Sequence, residues 1–214
     1  MNNKKAMNRI QDLGALIALV LLVIVIGIIS PEFRTVGNFL SLLRQSSING
    51  LIAFGMTCVI LTGGIDLSVG SVLALSTALC AGMISGGVPG GLAMILALVI
   101  GTGLGAVSGV LVTTGRLQPF IATLVTMTVY RGLTMIYMDG KPISDLGDSF
   151  TLKLIGKGNF YHIPIAVILF LVIFGIFMFI LEKTTFGRRI YATGSNWMAS
   201  KLAGVNISRT KLAV

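Results

Sequence analysis

Apolar residues fall into six runs along the chain, at 13–29, 48–62, 67–84, 92–114, 118–138 and 163–181, with polar stretches between them. A helix needs about 20 mostly apolar residues to cross a bilayer, and fewer when its ends snorkel. The pattern therefore predicts an all-α, polytopic membrane protein with about six membrane segments in a single transmembrane domain over residues 1–214. The first run follows Lys4, Lys5 and Arg9, as the core of a secretory signal would. Its apolar length exceeds that of a signal, however, and SPEFR follows where a small-residue cleavage site would stand, so it is read as a retained span.

The second and third runs are short, and Gly63 and Gly64 break the helix between them. In the connecting stretch TGGIDLSVGS, Asp66 stands alone, its nearest acids being Glu32 and Asp139. Two arrangements fit: two short crossings joined by a cytoplasmic turn, or a re-entrant pair of half-helices that leaves Asp66 at membrane depth. Irregular backbone at such depth is tolerated only inside protein or beside a water-filled cavity, because lipid offers its NH and CO groups no partners. The carboxylate is placed to cap the helix beginning near Leu67 by accepting from the NH groups of Ser68 and Val69. An ionisable group within the membrane is also a functional candidate, so Gly63, Gly64, Asp66, Ser68 and Gly70 are pathway candidates.

In the fourth run Ala93, Ala97, Gly101, Gly105 and Gly109 recur at every fourth residue. This puts small side chains on one helix face and predicts close helix packing. GTGLGA in the same run matches a dinucleotide-binding pattern by spelling only, since neither a preceding strand nor a following acid accompanies it. The fifth run contains Arg131, which must pair, reach a cavity or snorkel from the outer half of its helix.

Composition agrees with the runs: 55% hydrophobic and 11% charged residues, with a mean hydropathy of +0.96, belong to a membrane protein. The formal charge of +9 raises nucleic acid as a partner. With a cytoplasmic N-terminus, though, Lys4, Lys5, Arg9, Arg116, Lys183, Arg188, Arg189, Lys201, Arg209 and Lys211 fall inside, and Arg34, Arg44, Lys141, Lys153 and Lys157 outside. The outer segments also hold Glu32, Asp139, Asp145 and Asp148, so the excess charge follows the positive-inside rule and requires no nucleic acid. Cys58 and Cys80 lie within apolar runs and read as small hydrophobes. His162 stands without further ligands, and no nucleophile–base set or phosphate-binding GxxxxGK[ST] occurs. Neither catalysis nor a cofactor is expected of this chain, and ATP must be handled elsewhere.

The segment 182–211, EKTTFGRRIYATGSNWMASKLAGVNISRTK, predicts a cytoplasmic loop with a short helix from Trp197 to Ala203. Ser195 or Asn196 would cap it and Gly204 would end it in the left-handed conformation.

TGGIDLSVGSVLAL, GRLQPFIATLVTMTVYRGLTMIYMDGKPI and TTFGRRIYATGSNWMASKLAGVN, in this order, resemble the permease subunits of bacterial ABC importers for monosaccharides. The resemblance covers the chain from about Leu13 onward. It implies a homodimeric channel in the bacterial inner membrane, a cytoplasmic ATP-binding subunit, a periplasmic sugar-binding protein, and a monosaccharide substrate, ribose first. By the same resemblance 182–211 is the coupling loop, with Phe186, Gly187, Arg188, Arg189 and Gly194 in its first half and Asn196, Ala199, Leu202, Ala203 and Gly204 in its helix. Trp197 and Met198 depart from the acid or alanine usual there, which bears on the detail of docking. Family chains run on through further spans, so KLAV at 211–214 is expected to begin another, and the stripe at 93–109 to await partners beyond it. The alternative is an ion-coupled carrier with Asp66 and Arg131 as its charge relay.

Overall fold

The computed structural model describes residues 13–143 and 150–214. Lys4, Lys5, Arg9, Asp145, Asp148 and the Lys157 side chain, which enter the charge distribution, lie outside the described residues. The chain forms two compact units, Met1–Ser46 and Ser47–Val214.

The first unit holds α1 (Gly14–Ile29), a 3-10 turn (Pro31–Arg34) and the start of α2 (Val36–Leu61). No residue of α1 is buried, as suits an all-apolar helix surrounded by lipid. Pro31 follows its end and cannot continue the hydrogen-bond ladder. Ser30 Oγ donates to Glu32 Oε2 at 2.9 Å. The backbone and this hydroxyl together hold the exposed Glu32 carboxyl below its ordinary pKa. Thr35 Oγ1 accepts from the Asn38 NH at 3.3 Å, which starts α2 at Val36 rather than at the predicted 48.

The second unit is the bundle proper. The rest of α2 is followed by α3 (Val69–Ser85), α4 (Gly90–Thr113) and α5 (Pro119–Tyr137). A short helix α6 (Phe150–Lys157) leads into an antiparallel hairpin, β1 (Asn159–Phe160) with β2 (Ile163–Pro164), and then α7 (Ile165–Lys183). His162 lies in the hairpin turn, exposed, with φ at 71°. Three short helices follow: α8 (Thr185–Ser195), α9 (Trp197–Leu202) and α10 (Ile207–Leu212). Among the described residues α4, α5 and α7 are each long and apolar enough to cross a membrane, while α1 and α3 are shorter apolar helices. The protein is an all-α, polytopic membrane protein.

Helix α3 packs on both α4 and α5. Its Cys80 and Ile84 meet fully buried Ala93 of α4, with Ala97, Val88 and Leu152 of α6 against them. A Cβ on Gly101 would touch Ser76 of α3 at 3.7 Å, so Ala93, Ala97 and Gly101 form the predicted close-packing face. At Gly109 the neighbour changes, and Leu212 of α10 occupies the space a side chain would need, at 2.9 Å. Ala93, Ala97, Gly101 and Gly109 thus meet neighbours within these residues, while Gly105 has open space around it and lines a cavity. On α7, Phe170, Phe174 and Phe177 pack around Phe54 of α2, with centroids 5.2 to 5.7 Å apart. Gly50 leaves room for the Phe170 ring. This aromatic ladder escaped the hydropathy pattern because any apolar side chain would have satisfied that pattern.

Candidate functional site

The connections of the second unit gather at two ends. At one, Leu152 of α6 packs near the α3–α4 connection. At the other, the 62–68 turn, α4, the start of α5 and the stretch from Lys211 to Val214 surround a cavity of about 440 Å³. Its walls include Thr62, Asp66, Thr102, Gly105, Ser108, Thr123 and Lys211.

The turn is built as the sequence suggests. Gly63 adopts φ of 76°, a conformation that suits glycine. Gly64 NH donates to the Val59 carbonyl at 2.9 Å, closing α2. Asp66 Oδ1 accepts from both the Ser68 NH at 2.7 Å and Ser68 Oγ at 2.6 Å. The second bond goes to the Ser68 hydroxyl, where the Val69 NH was expected. Gly70 is exposed with open space around it, and no packing constraint requires glycine there.

Ser68 is fully buried. Its hydroxyl lies 3.5 Å from Ser108 Oγ of α4, which in turn lies 2.9 Å from Thr126 Oγ1 of α5. Thr123 Oγ1 reaches the Ile65 carbonyl at 3.3 Å, and the Tyr130 hydroxyl donates to the Leu104 carbonyl at 2.9 Å. A polar seam thus ties the turn to α4 and α5 where apolar contacts alone specify register poorly. Sequence reasoning missed Ser108, Thr123, Thr126 and Tyr130. The signal was present in α5, where Thr123, Thr126, Tyr130 and Thr134 recur at helical spacing on one face and are all buried.

The seam also fixes the depth of Asp66. Ser108 lies about 8 Å along α4 from its end at Thr113, and Thr126 about 10 Å along α5 from Pro119. The turn carrying Asp66 therefore sits in a recess below the ends of α4 and α5, and the half-buried acid lines the cavity. Arg131 is exposed on α5 and does not line this cavity, so the structure does not assemble the Asp66–Arg131 relay.

The region read as a loop is largely helical. Thr184 Oγ1 accepts from Gly187 NH at 3.2 Å and starts α8. A Cβ on Gly187 would overlap the Leu181 carbonyl oxygen, and one on Gly194 the Leu61 carbonyl oxygen. These glycines and fully buried Ile190 lie along the contacting face of α8, seating it against the ends of α7 and α2. Phe186 packs on the same cluster, while Arg188 and Arg189 are exposed. Asn196 Oδ1 accepts from Ala199 NH at 3.0 Å and Gly204 adopts φ of 85°, the predicted cap and stop of α9. On α9 Trp197, Met198, Ala199 and Leu202 are all exposed, Leu202 by 84%. Asn206 caps the short α10, whose last two residues, Lys211 and Leu212, are the first of the KLAV stretch.

The sequence that folds in this way has relatives among known proteins. Residues 38–214 match the family described as branched-chain amino acid transport system, permease component. The ribose import permease of Bacillus subtilis is 52% identical over 204 residues, covering 95% of this chain and 63% of the relative. That of Escherichia coli K12 is 42% identical over 209 residues, covering 96% and 64%. The galactofuranose transporter permease of the same organism is 36% identical over 199 residues, covering 89% and 58%. The chain thus spans less than two thirds of the length of these relatives. No solved structure matches significantly. Matched along most of its length, the chain belongs to this permease family of bacterial transport systems.

Proposed function

We propose that the chain is the membrane-spanning subunit of an ATP-driven importer that carries a monosaccharide, ribose first, across the bacterial inner membrane. The observation that carries this reading is the 52% and 42% identity to permeases named for ribose import. A cytoplasmic ATP-binding subunit supplies the energy, a periplasmic binding protein delivers the sugar, and two copies of the permease form the path by alternating access. This subunit carries out no chemistry on the sugar. Labelled ribose uptake into proteoliposomes holding the intact permease, ATPase subunit and binding protein should require ATP and resist a protonophore. Uptake driven by a proton gradient without ATP would contradict the proposal and favour an ion-coupled carrier.

The orientation places the N-terminus and the α8–α10 end in the cytoplasm, supported by the ten-to-five distribution of basic residues. A reporter active only in the periplasm should work when fused after Gly87 or Ser149 and stay silent after Arg116 or Ser195. Activity after Ser195 would exclude this topology.

The α8–α9 module is the proposed seat of the ATPase subunit, with the exposed Ala199 and Leu202 in the contact. Gly204→Val forces a β-branched residue to positive φ, costing roughly 1–3 kcal/mol locally. Ala199→Glu places a charge on the exposed face of α9. Both variants of the intact permease should lose co-purification with the ATPase subunit, and normal association of both would place the contact elsewhere.

A further inference from the structure

Between α8 and the stretch that follows α9 lies a second cavity, of about 400 Å³, lined by Phe186, Arg189, Gly204, Asn206, Arg209 and Thr210. Among the described residues no acid lines it. Two guanidinium groups on one cavity repel each other until an anion lies between them, and their forked donors match the oxygens of a phosphate. Asn206 Oδ1 is committed to the Arg209 NH at 3.0 Å, so the donors of the Asn206 carboxamide remain for a ligand oxygen.

The level of the cavity indicates where that phosphate comes from. Helix α7 ends at Lys183, and Phe186 and Arg189 occupy the first turns of α8 just beyond it. On the other wall, α10 is fixed by Leu212 against Gly109, about 6 Å along α4 from its end. Both arginines therefore stand where the spans finish, which is the level of the lipid headgroups. Phe186 gives the cavity an apolar wall suited to the glycerol and first methylenes of a lipid.

We propose that the Arg189–Arg209 cavity is a phosphate oxyanion site occupied by the headgroup of an anionic phospholipid. The site shares Phe186, Arg189 and Gly204 with the segment proposed to seat the ATPase subunit, so lipid retention is measured on the permease without that subunit. A bound lipid would join α8 to α10 by charge at a cavity that no described acid lines.

Native mass spectrometry of the intact permease with phosphatidylglycerol, phosphatidylcholine or inorganic phosphate tests this. The expected result is saturable retention of one phosphatidylglycerol per chain in preference to phosphatidylcholine. Arg189→Gln with Arg209→Gln should weaken it on the order of tenfold or more. Lys183→Gln with Lys201→Gln removes the same charge outside the cavity and should change retention by less than about twofold. Displacement of the lipid by millimolar inorganic phosphate would assign the site to free phosphate instead of lipid. Equal losses in the two double variants, or no loss in the arginine pair, overturns the site. Should the arginine variant fail to fold, wild-type protein that retains neither phosphatidylglycerol in preference to phosphatidylcholine nor inorganic phosphate overturns it alone.

Discussion

Replacing Gly194 by alanine is expected to unseat α8 from the end of α2 and to destabilise the folded permease by roughly 1–3 kcal/mol or more. A Cβ there would overlap the Leu61 carbonyl oxygen, and backbone, unlike the tip of a side chain, has little room to yield. Gly103 is the control: it lies inside α4 with open space around it, so Gly103→Ala should be neutral or raise stability through helix propensity by up to about 1 kcal/mol. Cys58 reports on the junction directly, because it is buried with Leu181 and Ile190 against Leu61. In Gly194→Ala a thiol reagent should label Cys58 at a lower temperature than in wild type. Identical unfolding temperatures for the two alanine variants would show that α8 does not rest on α2.

The second large effect is expected at the turn. Asp66→Ala removes the oxygen that accepts from both the NH and the hydroxyl of fully buried Ser68. Each buried donor left without a partner costs about 1–3 kcal/mol, and the Ser68 hydroxyl can recover part of this by turning to Ser108. The turn should loosen from α4 and α5, and thermal unfolding of the purified protein should begin several degrees earlier. Asp66→Asn keeps an Oδ1 acceptor in the same place, so its loss should stay below about 1 kcal/mol. Equal destabilisation by alanine and asparagine would mean that the clasp does not hold the turn.

How much of this was legible in the sequence varied with the kind of signal. The apolar runs located the long helices because hydropathy is what a bilayer selects. The start of α2 was misjudged because its first turns carry Asn38, Ser41, Arg44 and Gln45, and Thr35 caps them into a helix that hydropathy does not register. Helix α8 was hidden for another reason: its segment was read as a loop between membrane segments, whereas Gly187 and Gly194 are the points where its backbone meets the backbone of α7 and α2. The Asp66 clasp was visible as a local motif three residues long. Its depth was not, since that depends on where α3 begins relative to the end of α4, a tertiary quantity. The polar seam lay between these cases, periodic in α5 yet dependent on Ser108 from another helix for its partner. The cavity joining Asp66 to Lys211 and Leu212 brings together residues far apart in the chain and left no trace in its pattern.

The central claim is that Asp66 acts as a clasp for the recessed turn of this permease and not as a charge in its path. Ribose uptake by the intact permease carrying Asp66→Asn, normalised to the amount assembled with the ATPase subunit, tests it most directly. A clasp predicts uptake close to wild type, because the amide oxygen still receives both Ser68 donors. A variant that assembles and unfolds like wild type yet transports no ribose would contradict it, since only the charge would then have been lost.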